Sequence, residues 1–414
     1  MCEDDDIPDS QQTGTSSQHA AAARPFRQPV DSTLRNIATG NLRDGMTLGR
    51  SVFDPWGGLL ACAGTPVTDM LISTMNRRNV HHCIISDGDP TETPLDIIDR
   101  LIVRIASAAG SPDTFSRVTD EVGVRLTRLL NSGVYGYLDL DEKTQRDITG
   151  LITSAAGRIA PLFDVTIPED DSEQRDHAIM TAVLSVLHSR RQRYSDDVMD
   201  SIVTGALLHD CGKSVLHGIG VSACHQAGHE LYSEHPVFGY VLAHRAGLIG
   251  DSPECEVILR HHERPDSSGF PAGIPIDGSV SAAGAIKGSD SVVPIALLIS
   301  VMNSYDNTVR VSSSDHLAVH NACRELIFNA ETRYHKDAVR SLVEFMRLYP
   351  VGATVCITDI GNTVLAGSRG IVASVDEDTG LPSIVVTTDS DGHTVEPVRI
   401  DTSRLRSITL NLEL

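Results

Sequence analysis

The chain has 414 residues, of which 41% are hydrophobic, 21% are charged and only 4% are aromatic. This composition is ordinary for a globular protein of about two to four domains with an aliphatic core. The formal net charge of −21 argues against a protein that coats a nucleic-acid polymer, because the phosphates would be repelled. A small anionic ligand is still compatible if metal ions or local basic residues reverse the field.

The sequence predicts a cytoplasmic protein. No apolar run approaches the ~20 residues needed to span a bilayer, and the start Met1-Cys2-Glu3-Asp4 lacks the basic and apolar regions of a signal peptide. The eight cysteines are scattered and contain no C-x-x-C pair, which favours reduced thiols.

The first third of the chain divides into a tail, a small domain and a connector. Residues 1–32 are acidic and then rich in Gln, Ser, Thr and Ala, which predicts a disordered tail. Residues 33–90 predict a small mixed α/β domain, with Gly-separated strands, a helix from Val67 to Asn79 capped by Thr68, and a closing strand from Val80 to Ser86. We interpret His81 and His82 as the end of a surface strand, since no further ligand cluster is near them in sequence. Residues 91–166 have helical periodicity and predict a connector, with either simple packing or dimer formation as its role.

The remaining chain predicts a multidomain protein with an all-α catalytic domain at residues 167–348 and a β-rich unit at residues 349–414. The last unit has short apolar runs separated by Asp and Gly turns. No catalytic constellation is visible in it.

The pair His209-Asp210 follows an apolar helical run and precedes Gly212, which we predict to end the helix. An imidazole and a carboxylate side by side can share a metal ion or bridge two. Lys213, four residues after His209, could face an anion bound there. Taken alone, however, the pair is better explained as a capped helix end with a surface ion pair.

Further motifs change this interpretation. The stretch from His261 to Pro271 reads H-H-E-R-P-D-S-S-G-F-P, Glu234-His235-Pro236 lies between the two stretches, and Asp176-His177 precedes both. In order, spacing and residue type, the region from about Ile167 to Pro350 resembles the HD-GYP family. These are bacterial phosphodiesterases of the HD metal-dependent phosphohydrolase superfamily that hydrolyse the second messenger cyclic di-GMP.

The resemblance implies a helical HD-type domain with two divalent transition metals, iron or manganese. Some members of the family bind a third metal through a Glu one turn before the first histidine, and Glu173 stands at that place. Asp210 and Lys213 are the implied catalytic residues, and Arg264 and Arg310 the implied phosphate contacts. The implied metal ligands are His177, His209, Asp210, His235, His261 and His262, with Asn303 and Glu173 as further candidates.

The chain also departs from the family pattern. Asn303 stands where the family has a metal-bridging Asp, and the Arg-Pro-Tyr motif that grips phosphates is replaced by Arg310 followed by Val311 and three serines. Ser267 replaces a glycine, which restricts the turn if φ must be positive, and Phe270 replaces a tyrosine. The additional histidines His217, His225 and His229 are interpreted as loop residues, with His217 the best ligand candidate among them.

Three functions are compatible with these residues. The first is a cyclic di-GMP phosphodiesterase, with GGDEF-type or other signalling proteins as partners. The second is a degenerate HD-GYP protein that binds the nucleotide or a partner without turnover. The third is an HD-superfamily phosphohydrolase that acts on a different nucleotide.

Overall fold

In the computed structural model, the described residues are 34–87, 92–132, 138, 140–220, 231–248, 252–274, 295–311, 316–330, 332–346, 349, 351–359, 365–376, 382–402 and 409–413. The predicted tail at residues 1–32 lies outside them, as do His225, His229 and the three serines after Val311.

The amino-terminal unit combines two small antiparallel sheets with one helix. Its elements are β1 (Leu34–Ala38), β2 (Thr47–Leu48), β3 (Val52–Phe53), β4 (Leu59–Ala61), α1 (Asp69–Arg77) and β5 (His82–Ser86). One sheet has the order β1-β5-β2, and β3 and β4 pair as a hairpin. The predicted cap is confirmed, because the Thr68 hydroxyl accepts a hydrogen bond from the N–H of Leu71 at 3.2 Å.

This unit has a small core of its own, in which Leu48, Val67, Met75 and Ile85 are almost fully buried. The tip of the β3–β4 hairpin is held by Asp54, whose carboxylate accepts hydrogen bonds from the backbone N–H groups of residues 56 and 58 at 3.0 and 2.8 Å. The only tryptophan of the chain, Trp56, is on this tip and is 68% exposed.

The central part of the chain is α-helical. Its helices are α2 (Pro94–Ala109), α3 (Pro112–Leu130), α4 (Glu142–Arg158), α5 (Ala160–Thr166), α6 (Ser172–Arg191), α7 (Asp196–Leu208), α8 (Lys213–Gly218), α9 (His235–Arg245), α10 (Pro253–Arg260), α11 (Ile295–Val311), α12 (His316–Phe328) and α13 (Lys336–Met346). The connector helices α2 to α5 and the later helices share one hydrophobic core. No described helix is long and apolar enough to cross a membrane.

A buried arginine joins the connector to α6. Arg175 is fully buried, and its guanidinium forms ion pairs with Glu121 on α3 and, at 3.0 Å, with Asp164 on α5. Its Nε also donates to the carbonyl oxygen of Ile167 at 2.7 Å. A buried guanidinium requires such partners, so the first turn of α6 is fixed in position two residues before His177.

The prediction that Gly212 ends the preceding helix was wrong. Helix α7 ends at Leu208, and Gly212 has an ordinary right-handed φ of −70°. A Cβ at this position would lie 1.9 Å from the carbonyl oxygen of His235 and 2.4 Å from the backbone nitrogen of Gly239. The glycine therefore permits the start of α8 to approach the backbone of α9, which brings Asp210 close to His235.

The carboxy-terminal unit is a five-stranded antiparallel sheet with the order β10-β6-β7-β8-β9. The strands are β6 (Thr354–Asp359), β7 (Arg369–Val375), β8 (Pro382–Thr388), β9 (Thr394–Asp401) and β10 (Thr409–Glu413). Buried residues of this sheet, among them Val355, Val372 and Ile384, join the core of the helical part.

One buried histidine lies away from the motifs identified in the sequence. His188 on α6 is fully buried, and neither ring nitrogen has a hydrogen-bond partner among the described residues. Burial lowers the pKa of His188 to about 4, with His335 acting in the same direction and Asp337 opposing it. The folded protein therefore holds this imidazole neutral in a pH range where the unfolded chain would protonate it.

We predict that replacing His188 makes the stability less sensitive to acid. Because the folded pKa lies below the unfolded one, this histidine removes stability as the pH falls from about 6.5 to about 4, by about 2 kcal/mol at pH 5. Between pH 7 and pH 5, the free energy of unfolding of His188→Leu should therefore fall by about 2 kcal/mol less than that of the wild type. Urea unfolding at both pH values measures the difference. The exposed His244→Leu is the matched control, and an equal loss in all three proteins would contradict the prediction.

Candidate metal centre

The predicted motif residues converge from four helices. His177 lies in the second turn of α6, His209 and Asp210 directly follow α7, His235 is the first residue of α9, and His261 and His262 directly follow α10. All except His262 are almost fully buried.

The two oxygens of Asp210 face two different pairs of imidazoles. Its Oδ2 lies 3.3 Å from His209 Nε2 and 3.8 Å from His177 Nε2. Its Oδ1 lies 3.2 Å from His235 Nε2 and 3.6 Å from His261 Nε2. Within each pair, the two Nε2 atoms are 3.3 Å apart. The carboxylate thus stands between two sets of nitrogen donors, as a ligand that bridges two metals does.

The ligand atoms form two groups that share Asp210. In each group the atoms all lie within 4.8 Å of one another. The first group is His177, His209 and Asp210, and the second is Asp210, His235, His261 and His262. A third group meets the same distance at Asp389, Asp391 and His393, but there the Asp389 carboxylate accepts hydrogen bonds from the backbone of a hairpin turn. That geometry is an ordinary turn motif.

Each of the four inner histidines has its Nδ1 atom engaged, which turns Nε2 toward Asp210. Three of them use backbone carbonyl oxygens: His209 with Ala206 at 2.7 Å, His235 with Tyr232 at 2.7 Å, and His261 with Val257 and Ile258 at 3.2 and 3.1 Å. The fourth, His177, lies 2.6 Å from Oδ2 of Asp306. Since a carbonyl oxygen can only accept, Nδ1 carries the proton in the three backbone-bound rings and Nε2 has a free lone pair.

The charge states also match the needs of metal ligands. Burial lowers the pKa of His177, His235 and His262, and lowers that of His261 to about 3. These imidazoles are therefore neutral at neutral pH, which is the form that binds metals.

Asp210 is held as a carboxylate despite its position in the interior. Burial alone would raise its pKa, but Lys213 and the neighbouring histidines lower it well below the ordinary value. The Lys213 ammonium forms an ion pair with Oδ2 of Asp210. Burial opposes the charge on Lys213, but Asp210 raises its pKa above the ordinary value.

The donor set fits divalent transition metals. Oδ1 of Asp210 and Nε2 of His262 are buried without a hydrogen-bond partner among the described residues. A buried acceptor without a partner is costly, and converging imidazole lone pairs around a carboxylate repel one another unless a cation lies between them. Imidazole and carboxylate ligands together suit iron, manganese or zinc.

Helix α11 supplies a residue that the sequence analysis did not assign. Asp306 is fully buried, and its Oδ2 lies near both His177 Nδ1 and, at 3.3 Å, Nε of Arg310. Arg310 also donates to the backbone carbonyl of Glu173. Asp306 therefore orients His177. The sequence signal for this residue is its i,i+4 spacing to Arg310, which places both side chains on one face of the helix.

Asn303 lies one turn before Asp306 and is also buried. Its side-chain oxygen accepts a hydrogen bond from Nδ2 of Asn307 at 2.6 Å. Glu173, which is exposed at the start of α6, takes no part in the two groups of clustered residues.

Two other predicted residues lie outside the cluster. The Arg264 guanidinium stacks on the ring of Tyr334, 4.9 Å from its centroid, and donates to the carbonyl oxygen of Arg333 at 3.4 Å. His217 is exposed and lines a cavity of about 570 Å³ together with Arg104, Gln174 and Ser214. None of the six clustered ligands lines this cavity, so it lies beside the centre and does not enclose it.

The loop after His262 supports that histidine. The Phe270 ring stacks on the His262 ring with centroids 4.3 Å apart, and Phe270 N–H donates to the His262 carbonyl oxygen at 3.1 Å. The ring contact needs no tyrosine hydroxyl. Ser267 has a φ of +63°, which is the strained geometry expected where the family pattern has glycine.

Comparison with known proteins agrees with this geometry. Residues 175–307 match the family model of the HD domain. The match supports membership of this segment in the HD metal-dependent phosphohydrolase superfamily. No curated protein and no solved structure matches the chain. The matched segment contains all six clustered ligands and both Asn303 and Asp306.

We predict that Asp306→Asn weakens metal binding about tenfold, because the amide accepts a hydrogen bond from His177 but no longer raises its basicity through a negative charge. Competition between the protein and a chelating dye for cobalt(II) measures the change. Asp200→Asn removes a carboxylate from an exposed ion pair with Arg158 and should have no effect. Equal affinities for both variants would show that Asp306 does not tune the centre.

Proposed function

We propose that the protein is a metal-dependent phosphodiesterase that hydrolyses cyclic di-GMP in bacterial second-messenger signalling. The observation that carries the proposal is the Asp210 carboxylate, whose two oxygens face separate histidine pairs. The HD-domain match supports the phosphohydrolase chemistry. The order of the His-Asp, His and His-His-Glu-Arg-Pro motifs, with the Gly-Phe-Pro turn, supports cyclic di-GMP as the substrate.

The six clustered residues would hold two divalent metals, iron or manganese, with Asp210 as the bridging ligand. Two such ions supply a nucleophile at neutral pH and neutralise charge on the phosphate. A third metal, where one is bound, would be held by Glu173, whose exposed side chain would have to turn inward.

The chain's own residues have separable roles in the proposal. Asp210 fixes the spacing of the two ligand sets, and the backbone carbonyls that bind Nδ1 keep the imidazoles in one tautomer. Lys213 orients and neutralises a phosphate oxygen, which requires its ammonium to turn from Asp210 toward the substrate. Arg264 and Arg310 are the proposed further phosphate contacts; Arg310 would also have to loosen its ion pair with Asp306.

A second candidate function is nucleotide or partner binding without turnover, with signalling proteins of the GGDEF type as partners. Asn303 favours it, because a neutral amide stands where the family has a charged metal ligand. The engagement of Arg310 with Asp306 and with the Glu173 carbonyl favours it as well, since that guanidinium is occupied. A hydrolase for a different nucleotide is the third alternative.

We predict that the purified protein binds about two metal ions per chain and linearises or fully hydrolyses cyclic di-GMP with manganese or iron. His209→Ala and Asp210→Ala should abolish turnover and retain the circular dichroism spectrum, because each removes a ligand. The exposed His81→Ala is the matched control. Chromatography separates the products. A linear nucleoside triphosphate is tested in parallel as the alternative substrate.

The outcomes separate the three functions. Metal binding with cyclic di-GMP turnover supports the proposal, and metal binding with turnover of the triphosphate alone supports the third function. Less than about a tenth of an ion per chain would rule out a metalloenzyme. Nucleotide binding without any product supports the second function.

We predict that Asn303→Asp raises both metal occupancy and turnover, by up to about a hundredfold, since a misplaced nucleophile costs about that much. The added charge compensates the metals, and the Nδ2 group of Asn307 can still donate to the new carboxylate. Asn131→Asp adds the same charge at the exposed end of α3 and is the control. A gain in metal without a gain in activity would assign the defect to the Arg310 region and favour the binding protein.

A further inference from the structure

The amino-terminal unit contacts the helices that carry half of the candidate metal ligands. Residues of the β3–β4 hairpin, Phe53, Leu59 and the adjoining Cys62, pack with Val237 on α9 and Leu259 on α10 in a separate apolar cluster. Helix α9 begins with His235, and α10 ends one residue before His261. The hairpin therefore lies against the ends of two helices at which ligands project into the site.

Polar contacts extend this interface to the residue before His235. Both the backbone N–H and the hydroxyl of Ser51 donate to the carboxylate of Glu234, the N–H at 3.2 Å. Arg50 donates to the hydroxyl of Ser233 at 2.7 Å and lies 3.7 Å from Glu234. Glu234 is the residue before α9, but its side chain does not cap that helix.

The buried Glu234 carboxylate depends on these donors. It is almost fully buried, and its described partners are the N–H and hydroxyl of Ser51 and the guanidinium of Arg50. A buried carboxylate is stable only when hydrogen-bond donors or cations compensate its charge. Loss of one donor destabilises the folded state around it. Here the donors come from a part of the chain about 180 residues earlier.

The same short turn sets the orientation of His235. Residues Tyr232 to Glu234 form one 3-10 turn. The carbonyl oxygen of Tyr232 accepts from Nδ1 of His235 at 2.7 Å, and Nε2 of the same ring lies 3.2 Å from Oδ1 of Asp210. A continuous path of contacts thus leads from Ser51, through the turn, to the ligand atom of His235.

We infer that the amino-terminal unit positions the metal ligands at the Oδ1 side of Asp210, with Ser51 and Glu234 as positioning residues. The inference rests on the proposed two-metal centre. The effect is confined to the Oδ1 side of Asp210. On the Oδ2 side, the Nδ1 atom of His177 contacts Asp306 on α11, and that of His209 contacts the backbone of α7. The unit therefore controls one metal-binding set and not the other.

The test measures each ligand set by itself in the full-length protein. His177→Ala leaves the set Asp210, His235, His261 and His262, and His261→Ala leaves His177, His209 and Asp210 as a complete group. Cobalt(II) dissociation constants and visible absorption spectra are recorded for each background with Ser51 unchanged, Ser51→Ala and Ser51→Thr. Glu234→Gln is added as a second route to the same contact.

In the His177→Ala background, Ser51→Ala should weaken cobalt binding about tenfold and alter the absorption spectrum, as loss of an outer contact of a ligand does. Ser51→Thr retains the hydroxyl and should restore the affinity. Glu234→Gln, which retains an acceptor oxygen, should give an intermediate value. In the His261→Ala background all of these changes should leave the affinity unaltered within about twofold. Ser73→Ala, on the exposed face of α1, is the control in both.

Three results would overturn the inference. Equal weakening in the two backgrounds would mean that the contact only stabilises the fold. Unchanged affinity in the His177→Ala background, with wild-type protein binding two equivalents, would remove the positioning role and leave the proposed metal centre standing. Wild-type protein that binds no cobalt would overturn the proposed centre itself, and the inference with it.

Discussion

The carboxylate of Asp210 is buried between two pairs of imidazole rings, and the central helices are arranged to make that burial tolerable. A charge in the interior needs compensating groups on every side. Lys213 and His209 lie close to Oδ2, and His235 lies close to Oδ1. The contact between α8 and α9 that brings His235 to this carboxylate exists only because position 212 has no side chain.

The two sides of this centre are stabilised by different parts of the chain. On the Oδ2 side, Arg175 anchors α6 to the connector through Glu121 and Asp164, and α11 supplies Asp306. On the Oδ1 side, Ser51, which directly precedes β3 in the amino-terminal unit, contacts the turn before His235. The candidate metal centre therefore lies where the connector and the amino-terminal unit both contact the segment that matches the HD-domain model. Each of them contacts elements that carry a different pair of candidate ligands.

The sequence predicted the elements whose signals are local. Thr68 as a helix cap, the apolar face of α7 and the motif histidines depend on residues close in sequence, and the structure places those histidines around one carboxylate. Strand β9 has no local signal of this kind, because both of its faces are largely exposed and it contains Pro397, so no apolar alternation marks it. The roles of Gly212 and Ser51 were not predictable either, since each depends on a contact with a residue more than 20 positions away in the chain. For Asp306 the sequence shows only its spacing to Arg310, and its contact with His177 comes from the fold.

The hairpin tip has a practical consequence for spectroscopy. Trp56 is the only tryptophan of the chain, and the next residue, Gly57, packs so closely on Ile274 that a Cβ there would lie 2.3 Å from it. The Gly57 carbonyl also accepts from Arg260, the residue before His261, at 3.3 Å. When the protein is excited at wavelengths that tryptophan absorbs and tyrosine does not, its fluorescence therefore comes from the single indole of Trp56. This indole lies beside the contact between the amino-terminal unit and the helical part. The unmodified protein thus carries an optical probe of that contact, without any attached dye.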